Sequence, residues 1–231
     1  MINCLRFTIL IILFSNINLF AYTVTSSLDL PDEDLEDGIY YPPTLRSAIQ
    51  NANYHGIATN IIITPDKTTI RLQSNLPAIH VPMNFDGKGL LLEPHEGFLV
   101  NNGLFFTSNN SILKNVTCKN FNGSGIVWQG DDGVITNVRS LNNNGPGLNM
   151  NWADRNRIGD PNVVGYYDCF FYGAKGDGGH GVSLLWSNNN VIEKIATGID
   201  DIQIAKPNSR HGIYLSESSG NVIRKCIISG N

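Results

Sequence analysis

The feature that most narrows the fold is a short unit, Gly followed by an apolar residue, any residue and a second apolar residue, that returns along the chain. It occurs as Gly125-Ile126-Val127-Trp128, Gly147-Leu148-Asn149-Met150, Gly181-Val182-Ser183-Leu184 and Gly212-Ile213-Tyr214-Leu215, with starts 22, 34 and 31 residues apart. A second unit joins a polar turn to a β-branched run: Asn110 to Val116, Asp132 to Val138, Asn190 to Ile195 and Asn221 to Cys226. From Ile112 to Val134 is again 22 residues. One turn of a parallel β coil, with three short strands and their bends, takes roughly 20 to 25 residues. The longer spacings then read as turns with loops inserted, the largest over 154–179. No rung buries its apolar side alone, so stacking has to supply the core. An antiparallel sandwich gives hairpin turns and no fixed spacing. The expected fold is therefore all-β, a right-handed parallel β-helix over residues 60–231.

Alternation along each Gly-started strand assigns its faces. Ile126, Leu148, Val182 and Ile213 should point inward and be nearly fully buried, with Trp128, Met150, Leu184 and Leu215 on the same side. Val127, Asn149, Ser183 and Tyr214 form an outward column, and Gln129, Asn151, Leu185 and Ser216 a second. The next position in register holds Gly130, Trp152, Trp186 and Glu217. Two tryptophans in one column either seal the corner of the core or offer a platform for sugar rings, whose C–H faces pack on indole. The residues just before each Gly are Ser124, Pro146, His180 and His211, which places two histidines on successive rungs. Trp152, Trp186, Asn149, Asn151 and Tyr214 make up the candidate ligand-binding set.

The N-terminal part has a different character. Arg6 followed by the apolar run Phe7 to Phe14, with Leu19-Phe20-Ala21 as a cleavage site, reads as a signal peptide over residues 1–21. A membrane span needs roughly 20 apolar residues, and Ser15, Asn16 and Asn18 break this run. The mature chain is expected to start near Tyr22 and to be secreted or held at the cell surface, with a membrane involved only through secretion or a C-terminal anchor beyond these residues. Residues 22–59 then comprise a solvated acidic loop, Asp29 to Gly38, and one helix over 44–53. Thr44 is its N-cap, Leu45, Ala48, Ile49 and Ala52 form one apolar face, and Gly56 is the stop. Calcium is the one cofactor the acidic run allows, without a specific ligand pattern; no dedicated metal site is expected. Cys118, Cys169 and Cys226 read as small core residues. A net charge of −4 gives no basic stripe for nucleic acid.

Thr44-Leu45-Arg46-Ser47-Ala48-Ile49-Gln50-Asn51-Ala52-Asn53 resembles the CSLREAI-type N-terminal motif of bacterial surface β-helix proteins, themselves similar to pectin-lyase-like folds. Thr23 to Asp29, Asn60 to Ile63, Leu76 to Ile79 and Phe85-Asp86-Gly87 match as flanking pieces. The sequence departs at Pro43 and Ser47, where the motif has Cys and Glu. The resemblance implies an exported, adhesin-like surface protein, with the helix covering the open end of the solenoid and polysaccharides or cell-surface glycans as partners.

Two enzyme templates give an alternative. Asp131 and Asp132 with Gly179-His180-Gly181 look like the paired aspartates and Gly-His-Gly element of polygalacturonases. They stand about two rungs apart rather than one, and Arg224 and Lys225 are adjacent rather than spaced as that family's Arg-x-Lys. A pectate-lyase type would gather Asp154, Asp160, Asp177 and Lys175 in the insert around calcium. Asp131, Asp132, Asp177, His180 and His211 are thus the catalytic candidates, set against a non-catalytic protein. The chain also stops at a Gly/Asn bend, Gly230-Asn231, where a further rung would begin, and so reads as a portion of a longer solenoid.

Overall fold

A computed structural model of the protein describes residues 20–164 and 167–231. Within them the chain is almost entirely β, with one helix, and every pairing between its strands is parallel. A five-stranded sheet stacks Leu104–Phe106, Ile126–Trp128, Leu148–Asn151, Val182–Leu185 and Ile213–Ser216. A twelve-stranded sheet runs beside it from Phe20–Val24 through Thr59–Ile63, Met83–Pro94, Ile112–Lys119 and Val134–Leu141 to Val222–Arg224. The register sets Leu104, Ile126, Leu148, Val182 and Ile213 side by side, so the spacings 22, 34 and 31 are those of the ladder itself.

Length differences between rungs are absorbed at the bends. Val134–Leu141 is one continuous strand, but its partner on the next rung is split into Arg157–Ile158 and Cys169–Tyr172. The stretch 154–179 is therefore not one inserted loop, as the spacing suggested: Ile158, Cys169 and Phe171 are fully buried core residues within it. Apolar side chains at ladder positions are drawn into the stack, so the chain leaves it after Ile158 and rejoins it at Cys169. Bends that need left-handed backbone recur in register too. Asn110, Asp132, Arg155 and Asn189 have φ of 58°, 57°, 58° and 56°, a conformation Asn tolerates better than most residues.

The inward assignment holds for Ile126, Leu148 and Val182, all fully buried, and for Trp128, Met150 and Leu184. It fails at the last rung, where Ile213 is only half-buried and Leu215 is 38% exposed, because Ile213–Ser216 is the edge of its sheet and is covered from one side. Val127 and Ser183 point outward yet are buried, since neighbouring rungs only about 4.8 Å apart shield each other's short side chains. Cys118 and Cys169 are buried free thiols and Cys226 is a half-buried one.

The helix spans Leu45–His55. The Thr44 hydroxyl accepts from the Ser47 backbone N–H, the Ser47 hydroxyl accepts from that of Thr44, and Gly56 ends the helix with φ of 64°. Leu45, Ala48, Ile49 and Ala52 belong to the same core as the rungs. The acidic stretch beside it is less free than a solvated loop: Asp29 holds Arg46 through two bonds of 2.8 and 2.9 Å, and Asp32 accepts from Asn51 at 2.7 Å. Residues 22–59 also contribute a rung strand, because Phe20–Val24 pairs with Thr59–Ile63. Of the expected leader, residues 1–19 lie outside the described residues, while Phe20 and Ala21 sit in that strand. Among the described residues no helix is long and apolar enough to cross a membrane.

Candidate ligand-binding face

The outer surface of the five-stranded sheet carries the features that core packing does not require. At its C-terminal margin, Trp152 and Trp186 follow their strands in left-handed conformation, φ 57° and 47°. That conformation costs an L residue roughly 1–2 kcal/mol, and it turns both indoles outward. They are 63% and 44% exposed and stacked, with ring centroids 5.0 Å apart and planes 8° from parallel. They do not seal the corner. Their side chains form a ladder on the coil, and the preceding rung holds Gly130 at this position, where a Cβ would lie 1.9 Å from the Ser108 carbonyl oxygen. No side chain from that position covers Trp152.

Between the margins lie Asn149 and Asn151, both half-buried. Their Oδ1 atoms are shielded and accept no hydrogen bond. An unpaired amide oxygen has unmet bonding capacity, and the broad terminal torsion of Asn lets it turn towards a donor. At the N-terminal margin His180, His211 and Tyr214 form a second aromatic stack. His180 lies 5.2 Å from His211 and 4.6 Å from Tyr214, within 10° of parallel to each. The His211 backbone N–H donates to His180 Nδ1 at 3.3 Å, which requires that nitrogen to be unprotonated. Burial, then the neighbouring His211 and Arg210, hold the His180 imidazole below its ordinary pKa.

The catalytic candidates are not brought together. Asp131 and Asp132 lie past the C-terminal end of Ile126–Trp128, whereas His180 precedes Val182–Leu185, at the opposite margin. Both aspartates are clamped by Arg155, whose guanidinium donates to Asp132 at 2.8 and 2.9 Å and to Asp131 at 3.1 Å. The Arg155 bonds hold the Asp132 carboxyl below its usual range, opposite to what a general acid needs. Asp177 is fully exposed, with Arg210 at 3.7 Å. Asp154 accepts from the Asn188 backbone on the next rung at 2.6 Å, and Asp160 accepts from the Asn162 backbone within its own turn at 2.8 Å. Among the described residues no three His, Cys, Asp or Glu side chains are grouped to hold a metal ion.

Sequence reasoning missed the Arg155 clamp. The signal was its position 23 residues after Asp132, one rung further on. It also missed a buried polar ladder in which Asn190 Oδ1 accepts from the Asn156 amide at 3.1 Å and Asn221 Oδ1 from the Asn190 amide at 3.1 Å. Their spacings, 34 and 31, are those of the apolar repeat. Comparison with known proteins finds no matching family model and no curated protein that aligns significantly with this chain.

Proposed function

We propose that this chain is an exported, non-catalytic surface protein of the adhesin-like kind, a right-handed parallel β-helix capped by its helix, that binds glycans on the outer face of its five-stranded sheet. The observation that carries the reading is the exposed Trp152–Trp186 stack, held in a costly backbone conformation with unpaired Asn149 and Asn151 beside it. Indole faces pack against the C–H face of a sugar ring, and carboxamides bond its hydroxyls. Tyr214 and its stacked histidines extend the polar and aromatic surface to the other margin. Parallel pairing throughout supports the right hand of the coil, since crossovers between parallel strands are right-handed in about 98% of cases. The buried face of the helix supports the cap, and the leader-like residues 1–21 support export.

The test is titration with a panel of neutral oligosaccharides, followed by tryptophan fluorescence. Binding that quenches fluorescence and is lost in a Trp152→Ala/Trp186→Ala double variant supports the proposal. No binding to any member, or binding indifferent to those substitutions, overturns it. Incubation with acidic polysaccharides, with and without calcium, provides a further check: unsaturated products or new reducing ends that vanish in Asp177→Ala would overturn the non-catalytic reading.

A further inference from the structure

On the twelve-stranded sheet, away from the tryptophans, basic side chains converge where the ladder breaks. The pairing of Met83–Pro94 with Ile112–Lys119 shifts register between Asp86 and Leu90. Gly87 is forced there, because a Cβ would meet the Asn115 carbonyl oxygen at 2.6 Å. Lys88 follows with φ of 51° and Lys67 packs beside it with φ of 59°, its backbone N–H donating to the Lys88 carbonyl at 2.9 Å. Two lysines thus share one corner. With Arg139, Asn115 and Asn137 they line a cavity of about 300 Å³, and an adjoining cavity of about 260 Å³ shares Lys88 and adds Lys114 and Asn84.

We propose that these two cavities form one cleft that binds the oxyanions of an acidic polysaccharide, sulfate or carboxylate, independently of the tryptophan face. Lys67, Lys88, Lys114 and Arg139 face only Asp66 and Asp86 within the lining, a local excess of two positive charges in a chain of net charge −4. Asp86 lies 3.5 Å from both Lys88 and Lys114, and Arg139 lies 3.7 Å from Asp201 outside the cleft; Lys67 has no ion-pair partner among the described residues. The floor is fixed by a polar ladder: Asn115 donates to Asp86 at 2.7 Å and Asn137 to Asn115 at 2.6 Å. Asn84 Oδ1 accepts no bond and has capacity for a sugar hydroxyl. Lys88, Lys114 and Arg139 come from three successive rungs. A linear polyanion lying along the coil meets several charges at once, which a free ion does not.

The test compares binding of dextran sulfate, polygalacturonate and uncharged dextran to the full chain at low salt. Lys67→Asn/Lys88→Asn removes two charges at positions whose left-handed backbone Asn accommodates. Retained melting temperature shows that the variant folds, and Arg139→Gln offers a second route to the same loss. The wild type should bind at least one polyanion in a salt-sensitive way, with affinity falling roughly tenfold or more in the double variant. Binding of dextran sulfate alone identifies sulfate esters, of polygalacturonate alone carboxylates, and of both a general oxyanion site. No polyanion binding, equal binding of uncharged dextran, or a double variant as good as wild type overturns the proposal. So does loss of polyanion binding in Trp152→Ala/Trp186→Ala, whereas failure of neutral-sugar binding at the tryptophans leaves this cleft untouched.

Discussion

The rung that starts at Gly125 and is followed 22 residues later, and the rungs followed at 34 and 31, share one interior and differ outside. Ile126, Leu148 and Val182 occupy the same ladder position and are all fully buried. Around them the first rung has Ser124 before its strand and Gly130 after it. The rung at Gly181 has His180 and Trp186 in those places, and both side chains stack on residues of an adjacent rung. Hydrogen-bond pairing and core packing fix the strands whatever the loop length, while the positions flanking each strand are free to vary. The aromatic margins lie on the rungs with the longer loops.

The strongest test of a shared interior is to insert a charge into it. Ile126→Asp on the rung at Gly125, Val182→Asp on a long one and Ile49→Asp on the buried face of the helix should each cost roughly 3 kcal/mol or more, since each buries an unpaired carboxylate. Urea unfolding reads the loss; a long rung that tolerates the charge would mean that its interior is looser than its register implies. Truncation sharpens the comparison. Ile126→Ala should cost about 2–5 kcal/mol, whereas Ile213→Ala, at the half-buried sheet edge, should cost about 1 kcal/mol. Equal costs would show that Ile213 is covered in solution.

Substitution on the outer face should separate binding from stability. Trp152→Ala/Trp186→Ala should change unfolding free energy by less than about 1 kcal/mol, because little core is lost and Ala, which keeps its Cβ, leaves the backbone strain at the two left-handed positions as it was. A larger loss would make the indoles structural. The smallest effect is expected from acid. Folding lowers the His180 pKa from its ordinary value near 6.5, so the unfolded chain takes up that proton first. Stability should be intact above about pH 6.5 and decline as pH falls from there to the folded value, where the loss levels off. His211 and Arg210, the charged neighbours of this imidazole, both oppose its protonation. His180→Gln should flatten that limb of the pH profile, and an unchanged limb would assign it to other groups.

Much of the coil was legible because its signals are local or periodic. Thr44 and Gly56 mark the helix ends by backbone chemistry, and Gly-apolar-x-apolar units mark the ladder by alternation. The insert was misread because spacing counts residues without showing which of them rejoin the stack; Ile158 and Cys169 did so through apolar character inside a polar stretch. The ligand-binding set was found by column position, but whether Trp152 and Trp186 turned in or out depended on a backbone angle that no residue type dictates for tryptophan. The basic cleft was invisible in the sequence, since Lys67, Lys88, Lys114 and Arg139 sit in different columns and meet only where the register slips.

The parallel stack follows from the residue pattern: a repeat with one apolar face per rung leaves open edges and exposed core unless each rung pairs with the next. Which polar groups are spent and which are free depends instead on contacts between rungs. Asp131 and Asp132 are neutralised by an arginine one rung away, Asp29 and Asp32 are tied to the helix, and Asn149 and Asn151 are left unpaired on an outer face. Hydrogen bonds and ion pairs are set by distances of a few tenths of an ångström between residues far apart in the chain, and a repeat fixes only which rung each side chain belongs to.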